Sequence, residues 1–322
     1  MSARTAAAAV AVAVTVAACG ASATPPPSVS VAPVPVRPAG AQEITAPPVT
    51  AVADCGDPEA SLRPGPLAGA GAMPAGSSMA RIQARGRLIA GVDQNTFMFG
   101  FRDPRSGQLV GFDIDLAREI ARAVFGEPGR IELQVVDAGQ RELALQSGQV
   151  DVVVRTFSIT CERKRNVGFS AVYFYANQRI LARKGSGIDG TADLSGKRVC
   201  AVAGTTSLGR IFALRPRPTL IGVTSWTDCL LMQQQGQIDA ISTDDVVLAG
   251  LAAQDPAVDV VGASLGVEPY GVGVRRGDDD VIRFVNGVLE RIRADGTWER
   301  LYASWLRSLG PSPGPPQARY QD

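Results

Sequence analysis

The sequence predicts an α/β body of two lobes, on three observations. Continuous apolar runs such as "VDVVV" at 150–154 alternate with stretches whose apolar residues recur at helical spacing, the pattern of mostly parallel sheets covered by helices on both faces. The alternation occurs twice along the chain. Hydroxyl, acidic and cationic residues gather just after the apolar runs, where ligands sit in open α/β sheets.

In the first half, "RLIAGVD" reads as a strand ending in Asp93, and "GFDIDLAREIARAVFG" as a helix with Ile114, Leu116, Ile120, Ala121 and Val124 on one face. "IELQVVD" returns as a strand, "RELALQSGQ" is a short helix, and "VDVVVR" is another strand. In the second half, "GKRVCAVAG" is a strand running into the turn Gly204-Thr205-Thr206-Ser207. "TLIGVTS" and "IDAISTD" are further strands, with "WTDCLLMQQQGQ" and "DVVLAGLAAQ" as their helices. Two amphipathic segments, "DDVIRFVNGVLERIRADG" and "TWERLYASWLRSL", close the body, with residues 79–177 and 273–309 expected in the first lobe and 178–272 in the second. A cleft between lobes is a usual ligand site.

At 322 residues, about two domains fit. The net charge of +1 is dispersed and gives no basic face for nucleic acid. Histidine is absent, which removes Ser-His-Asp and Cys-His catalysis together with the commonest metal ligand. The start, "MSARTAAAAVAVAVTVAACGAS", has an early cation, an apolar run too short for a membrane span, and small residues leading to Cys19. Residues 1–18 are therefore expected to be a signal peptide. Val16-Ala17-Ala18-Cys19 resembles the bacterial lipobox, which places a diacylated Cys19 at the mature N-terminus and the protein on the outer face of the cytoplasmic membrane.

Residues 19–78 are rich in Pro, Ala, Val, Ser and Gly and are expected to form an extended stalk; the tail 310–322 is expected to be disordered. Outside the membrane the even set Cys55, Cys161, Cys200 and Cys229 favours disulfides, with three pairings formally open. Cys200 with Cys229 is favoured because both fall in the second lobe, which leaves Cys55 for Cys161.

The strand-end rule singles out residues 93–96, 137–141, 156–163, 204–207 and Asp244. Arginines suit carboxylates through planar bidentate bonding, Ser and Thr donate to the same oxygens, and a buried Asp pairs with an ammonium. Together they describe a site for an amino acid with an extra acid group. Taken singly, each feature has a structural role. Arg163 in "CERKR" is a solvated charge near a helix start, the 204–207 turn and Asp244 are helix N-caps, and Phe97, Phe99 and Phe101 alternate as the buried face of a strand.

The joint pattern resembles a known family. From about 79 to 309 the segments "LVGFDIDLAREIA", "LQSGQVDVVV", "SITCERKRNVGFS", "DLSGKRVCAVAGTTS", "QQGQIDAISTDD" and "ADGTWERLYASWL" resemble, in order, family 3 of the bacterial extracellular solute-binding proteins. Within it, the chain looks most like the actinobacterial glutamate, aspartate and glutamine-binding lipoproteins. The resemblance implies the two-lobed type II periplasmic-binding-protein fold, with a hinge of two crossing strands. It implies that Arg163 of "ITCERK" holds the ligand α-carboxylate, assisted by Ser158, Thr205 and Thr206. Asp244 of "STDD" matches the ammonium partner, with Thr156 placed beside it. Gln140-Arg141 ahead of "ELALQSG" matches an Asn-Arg pair of glutamate/aspartate binders, so Arg141 is the expected partner of a distal carboxylate.

Asp93 stands where some acidic-ligand binders have an arginine and glutamine binders an aspartate, and Ala138 replaces a phenylalanine of glutamine binders. Asp, Glu, Asn and Gln all remain in the ligand set, with the acidic pair favoured. The resemblance further implies a monomer without cofactor or metal, whose partner is an ABC permease or a transmembrane sensor coupled to a Ser/Thr kinase. The competing readings are an enzyme on the same fold, such as a cyclohexadienyl dehydratase, for which no general acid stands out, and a scaffold lipoprotein, which leaves the strand-end arginines without a purpose.

Overall fold

Apolar runs become buried strands and the amphipathic stretches become their covers in a computed structural model that describes residues 36–47 and 54–321. The expected signal peptide and Cys19 lie outside the described residues. The first described strand is β1 (Gln42–Glu43), followed by α1 (Ser78–Arg85), β2 (Leu88–Val92), β3 (Asn95–Thr96), β4 (Gly100–Arg102) and β5 (Leu109–Val110). Next come α2 (Phe112–Phe125), β6 (Ile131–Val135), α3 (Arg141–Gln146), β7 (Val152–Val153), α4 (Cys161–Asn166) and β8 (Val167–Phe169). The long β9 (Phe174–Arg183) crosses to the second lobe, built from β10 (Arg198–Val202), α5 (Thr206–Ala213), β11 (Thr219–Val223), α6 (Trp226–Gln234), β12 (Ala240–Asp244) and α7 (Asp245–Ala252). The chain returns through β13 (Val258–Tyr270) to β14 (Gly273–Arg275), α8 (Asp279–Ala294) and α9 (Thr297–Trp305).

The first sheet has the order β6-β2-β7-β14-β8 and the second β1-β11-β10-β12-β9-β13. Each has a parallel core, β6, β2 and β7 in one and β11, β10 and β12 in the other. Antiparallel strands flank both cores, because β9 and β13 carry the chain out and back and must run opposite to each other and β14 re-enters against β7 and β8. Local sequence explains the covers. Helix α2 carries Asp113 and Asp115 in its first turn, where the helix dipole favours them, and ends on Gly126 in the left-handed conformation. Its buried residues include Ile114, Leu116, Ile120, Ala121 and Val124, the face read from the sequence. Gly111, at φ +131, admits no side chain, since a Cβ there would stand 2.2 Å from the Phe99 carbonyl oxygen.

Of the three alternating phenylalanines, Phe99 is core, packed on Phe112, Phe174 and Tyr270 where the crossing strands meet. Phe97 is exposed and meets Phe101 edge-on at 5.2 Å.

The stalk and tail differ from their composition-based expectation. Strand β1 extends the second sheet by pairing with β11, and Cys55 is bonded to Cys161. The Ser61 hydroxyl donates to the Phe169 carbonyl at 2.8 Å, and Asn286 donates to the Leu62 carbonyl at 2.7 Å. The tail returns to the same place. The Ser61 N–H donates to the Arg319 carbonyl and the Gln321 N–H to the Ser61 carbonyl, both at 2.9 Å, while Arg319 pairs with Asp57 and Glu59. These segments are held by backbone hydrogen bonds, ion pairs and one disulfide together with a few apolar side chains, Ile44, Leu62 and Met73, that pack on the core, contacts that composition alone does not reveal. The second disulfide joins Cys200 and Cys229, both buried between β10 and α6. Among the described residues no helix is long and apolar enough to cross a membrane, and no group of three or more acidic or cysteine side chains is placed to hold a metal ion.

Candidate functional site

The two lobes meet where strand ends face each other. At the end of β7 the chain turns sharply at Thr156, a β-branched residue held at φ +39. Asp113 at the start of α2 stabilises that turn by accepting the Thr156 N–H at 2.8 Å, and it accepts the Tyr173 hydroxyl at 2.8 Å as well. Thr160 then caps α4 by accepting the Arg163 N–H at 3.2 Å, which sets Arg163 in the first turn. Its guanidinium lies 4.9 Å from the Phe157 ring centroid. Arg141, at the start of α3, lies over the same ring at 4.4 Å. The first lobe therefore presents its cations on a shared aromatic support.

Those cations are satisfied by carbonyls more than by carboxylates. Arg141 donates to the carbonyl oxygens of Ala138 at 2.8 Å and of Arg155, Thr156 and Gly204 at 3.3 Å. Arg163 donates to Ser158 O at 2.6 Å and to Gly204 O at 3.1 Å, with Glu142 3.9 Å from its Nε. Gly204 belongs to the second lobe, so both arginines reach across the cleft to one carbonyl. The approach needs a glycine there: at φ +73, a Cβ would stand 2.6 Å from the Gly139 Cα. Burial lowers the affinity of both guanidiniums for their protons, and for Arg141 the neighbouring charges of Arg163 and Arg155 add to the effect.

The second lobe answers with hydroxyls and one acid. Thr205 caps α5 by accepting the Leu208 N–H at 3.2 Å and donates to Val202 O at 2.6 Å. Thr206 donates to Glu268 Oε2 at 2.8 Å, and Glu268, buried on β13, is paired with Arg210. Asp244 ends β12. Its Oδ2 accepts the Tyr270 hydroxyl, and its Oδ1 is buried with no hydrogen-bond partner. Burial first, and the Glu268 charge second, push the Asp244 carboxyl up to about 8. Burial likewise raises Asp113 to about 6, against the Tyr173 and Thr156 hydrogen bonds that lower it.

Arg141, Thr156, Ser158, Arg163, Thr205, Thr206 and Asp244, all singled out from sequence, line one cavity between the lobes. Asp93 lies behind it, 3.2 Å from Arg155 Nη2. Arg155, the last residue of the "VDVVVR" run and so just short of the strand-end set, lines the cavity as well. The signal was its place between an apolar run and Thr156. Ser207, Trp226 and Thr243 also line the cavity, and Glu268 and Tyr270 govern Asp244 from the returning strand. Neither of the last two carries a local sequence mark, because each is brought in by the crossing of β13.

The family model described as "Bacterial extracellular solute-binding proteins, family 3" matches residues 88–308. The chain is 33% identical over 231 residues to the ABC transporter glutamine-binding protein GlnH of Bacillus subtilis (strain 168), covering 71% of this chain and 85% of that protein. It is 30% identical to the glutamate-binding protein GluB of Corynebacterium glutamicum, over 63% of this chain and 72% of that one. Among solved structures, an ancestral arginine-binding protein bound to glutamine superposes with a TM-score of 0.65 at 36% identity, covering 69% of this chain and 98% of that one.

Proposed function

The chain belongs to family 3 of the bacterial extracellular solute-binding proteins, and on that premise we propose that it is a receptor that closes its two lobes over a polar L-amino acid, Asp or Glu before Asn or Gln. One observation carries this reading: the buried guanidiniums of Arg141, Arg155 and Arg163 line the same cavity as a buried carboxylate oxygen, Asp244 Oδ1, that has no partner. A zwitterion with a second acid group pairs with both walls, and complete pairing is what makes removal of its charges from water tolerable. Arg163, Ser158, Thr205 and Thr206 take the α-carboxylate. Asp244 and Thr156 take the ammonium. The corner formed by Arg141 and Arg155, with Asp93 behind it, takes the distal group.

On this reading the receptor does no chemistry, which the solute-binding names of its relatives support. Its delivery partner is an ABC importer, as the names of the relatives support, or a membrane sensor coupled to a Ser/Thr kinase; a lipid on Cys19 keeps it at the membrane. The relatives' names divide between glutamine and glutamate, so the side-chain end of the ligand is where this chain is to be tested. Calorimetric titration is expected to show binding of Asp and Glu, weaker binding of Asn and Gln, and none of sugars or Lys. Tight binding of an amino acid with a cationic side chain overturns the assignment, and aromatic product from prephenate or arogenate overturns the absence of chemistry. Cys19→Ala is expected to leave the detergent phase without a change in ligand affinity.

A further inference from the structure

Arg155 is the cation of the site whose hydrogen bonding is least complete. Its side chain is 5% exposed, its Nη2 lies 3.2 Å from Asp93 Oδ2, and its Nε is buried without a hydrogen-bond partner. Arg141, by contrast, spends donors from all three of its nitrogens on carbonyl oxygens, those of Ala138, Arg155, Thr156 and Gly204. The Oδ1 of Asp93 accepts the N–H groups of Gln94 at 2.8 Å and Asn95 at 3.3 Å, and its Oδ2 accepts the Thr96 hydroxyl at 2.5 Å beside Arg155. With three hydrogen bonds and the Arg155 charge beside it, Asp93 is committed to its own loop and to Arg155.

We propose that Arg155, fixed in place by Asp93, is the specificity-determining residue for the ligand side chain and selects a carboxylate over an amide. The proposal rests on the amino-acid receptor reading above and names which residue reads the distal group. The argument is one of hydrogen-bond satisfaction. A buried guanidinium N–H without a partner is costly, and an anionic oxygen completes it with a charge-assisted bond. A side-chain amide brings an oxygen too, but also an NH2 that must find an acceptor. In this corner the acceptors already serve the protein, Asp93 through three hydrogen bonds and its ion pair with Arg155, and the carbonyls of Ala138, Arg155, Thr156 and Gly204 through Arg141, so an amide NH2 would enter among cations with no carboxylate of its own. A site built to pair one group rejects the analogue that leaves donors facing donors. Asp93 thus acts as a positioning residue for Arg155, and Arg141 as the brace that holds the two loops and Gly204 together.

The test is calorimetric titration of the full-length chain and of Arg155→Gln, Arg155→Lys and the double variant Arg155→Gln with Asp93→Asn, each with L-aspartate, L-asparagine, L-glutamate and L-glutamine. The wild-type chain is expected to prefer each acid over its amide by about tenfold or more. Arg155→Gln is expected to lower aspartate affinity about a hundredfold and asparagine affinity less than about fivefold, with Arg155→Lys keeping part of the preference. Should Arg155→Gln fail to fold because Asp93 is left unpaired, the double variant, which removes both charges, is expected to show the same selective loss. A crystal structure with aspartate is expected to place Arg155 Nε within roughly 3.2 Å of the side-chain carboxylate. Equal losses for acid and amide in the folded variants, or a crystal structure with that carboxylate on Arg141 alone, overturn the assignment of Arg155 and leave the receptor reading standing. A wild-type chain that binds none of the four amino acids overturns the receptor reading itself.

Discussion

The two walls of the cleft hold their ionisable groups by opposite means. On the first lobe, Arg141 and Arg163 sit over Phe157 and are wired to backbone carbonyls, with a carboxylate near only Arg163, where Glu142 stands 3.9 Å from its Nε. On the second lobe, Asp244 is held by a tyrosine hydroxyl and stands near another acid, Glu268, which makes its negative charge hard to develop. On the proposed reading, one wall is an anion site that is ready and the other becomes a cation site only when the cation arrives. On that reading the α-carboxylate and the ammonium of one ligand are recognised with different pH dependence.

The largest expected effect is on the ready wall. Arg163→Ala leaves an α-carboxylate buried without its charged partner, and is expected to weaken every amino-acid ligand by roughly 3–5 kcal/mol, about a hundredfold to several thousandfold, in calorimetric titration. Asp244→Asn acts on the other wall and is expected to lose about 2–3 kcal/mol at pH 8.

The pH dependence has a definite sign. The unliganded carboxyl of Asp244 is pushed up to about 8, and a ligand ammonium lowers it, so binding below that pH releases a proton. Affinity is expected to rise by up to about tenfold per pH unit as pH approaches 8 from below. Titrations in buffers of different ionisation heat should record the released proton in the wild-type chain and not in Asp244→Asn. Without ligand the same shift works on folding. The folded pKa is raised above the ordinary carboxylate value, so the stability this group contributes is present in acid and is lost as pH climbs to about 8.

Glu268→Gln separates burial from charge as causes of the Asp244 shift. Removing that charge takes away the second-largest cause of the Asp244 shift, so the break in the affinity profile is expected to move to lower pH while affinity well above pH 8 changes little. An unmoved break means that burial alone raises Asp244. The smallest effect belongs to Arg165, exposed on the same short helix as Arg163. Arg165→Ala is expected to change affinity by about 0.5 kcal/mol or less, and a loss equal to that of Arg163→Ala would mean the helix has been misread.

What could be read from sequence alone was whatever depends on covalent order. The alternation of apolar runs and amphipathic stretches determined the α/β body, because burial of a strand or a helix face leaves its period in the chain. The same order put Arg141, Thr156, Ser158, Arg163, Thr205, Thr206 and Asp244 at strand ends, and all seven line the cavity. Only the tertiary structure decided how these groups are paired. Asp93, marked from sequence as a strand-end acid, accepts from Gln94, Asn95 and Thr96 and stands 3.2 Å from Arg155. Glu268 and Tyr270 reach Asp244 only because β13 crosses back between the lobes. The Pro-rich ends, too, found their places through backbone hydrogen bonds at Ser61. Hydrogen-bond saturation and desolvation are properties of surroundings assembled from distant segments, so no window of sequence contains them.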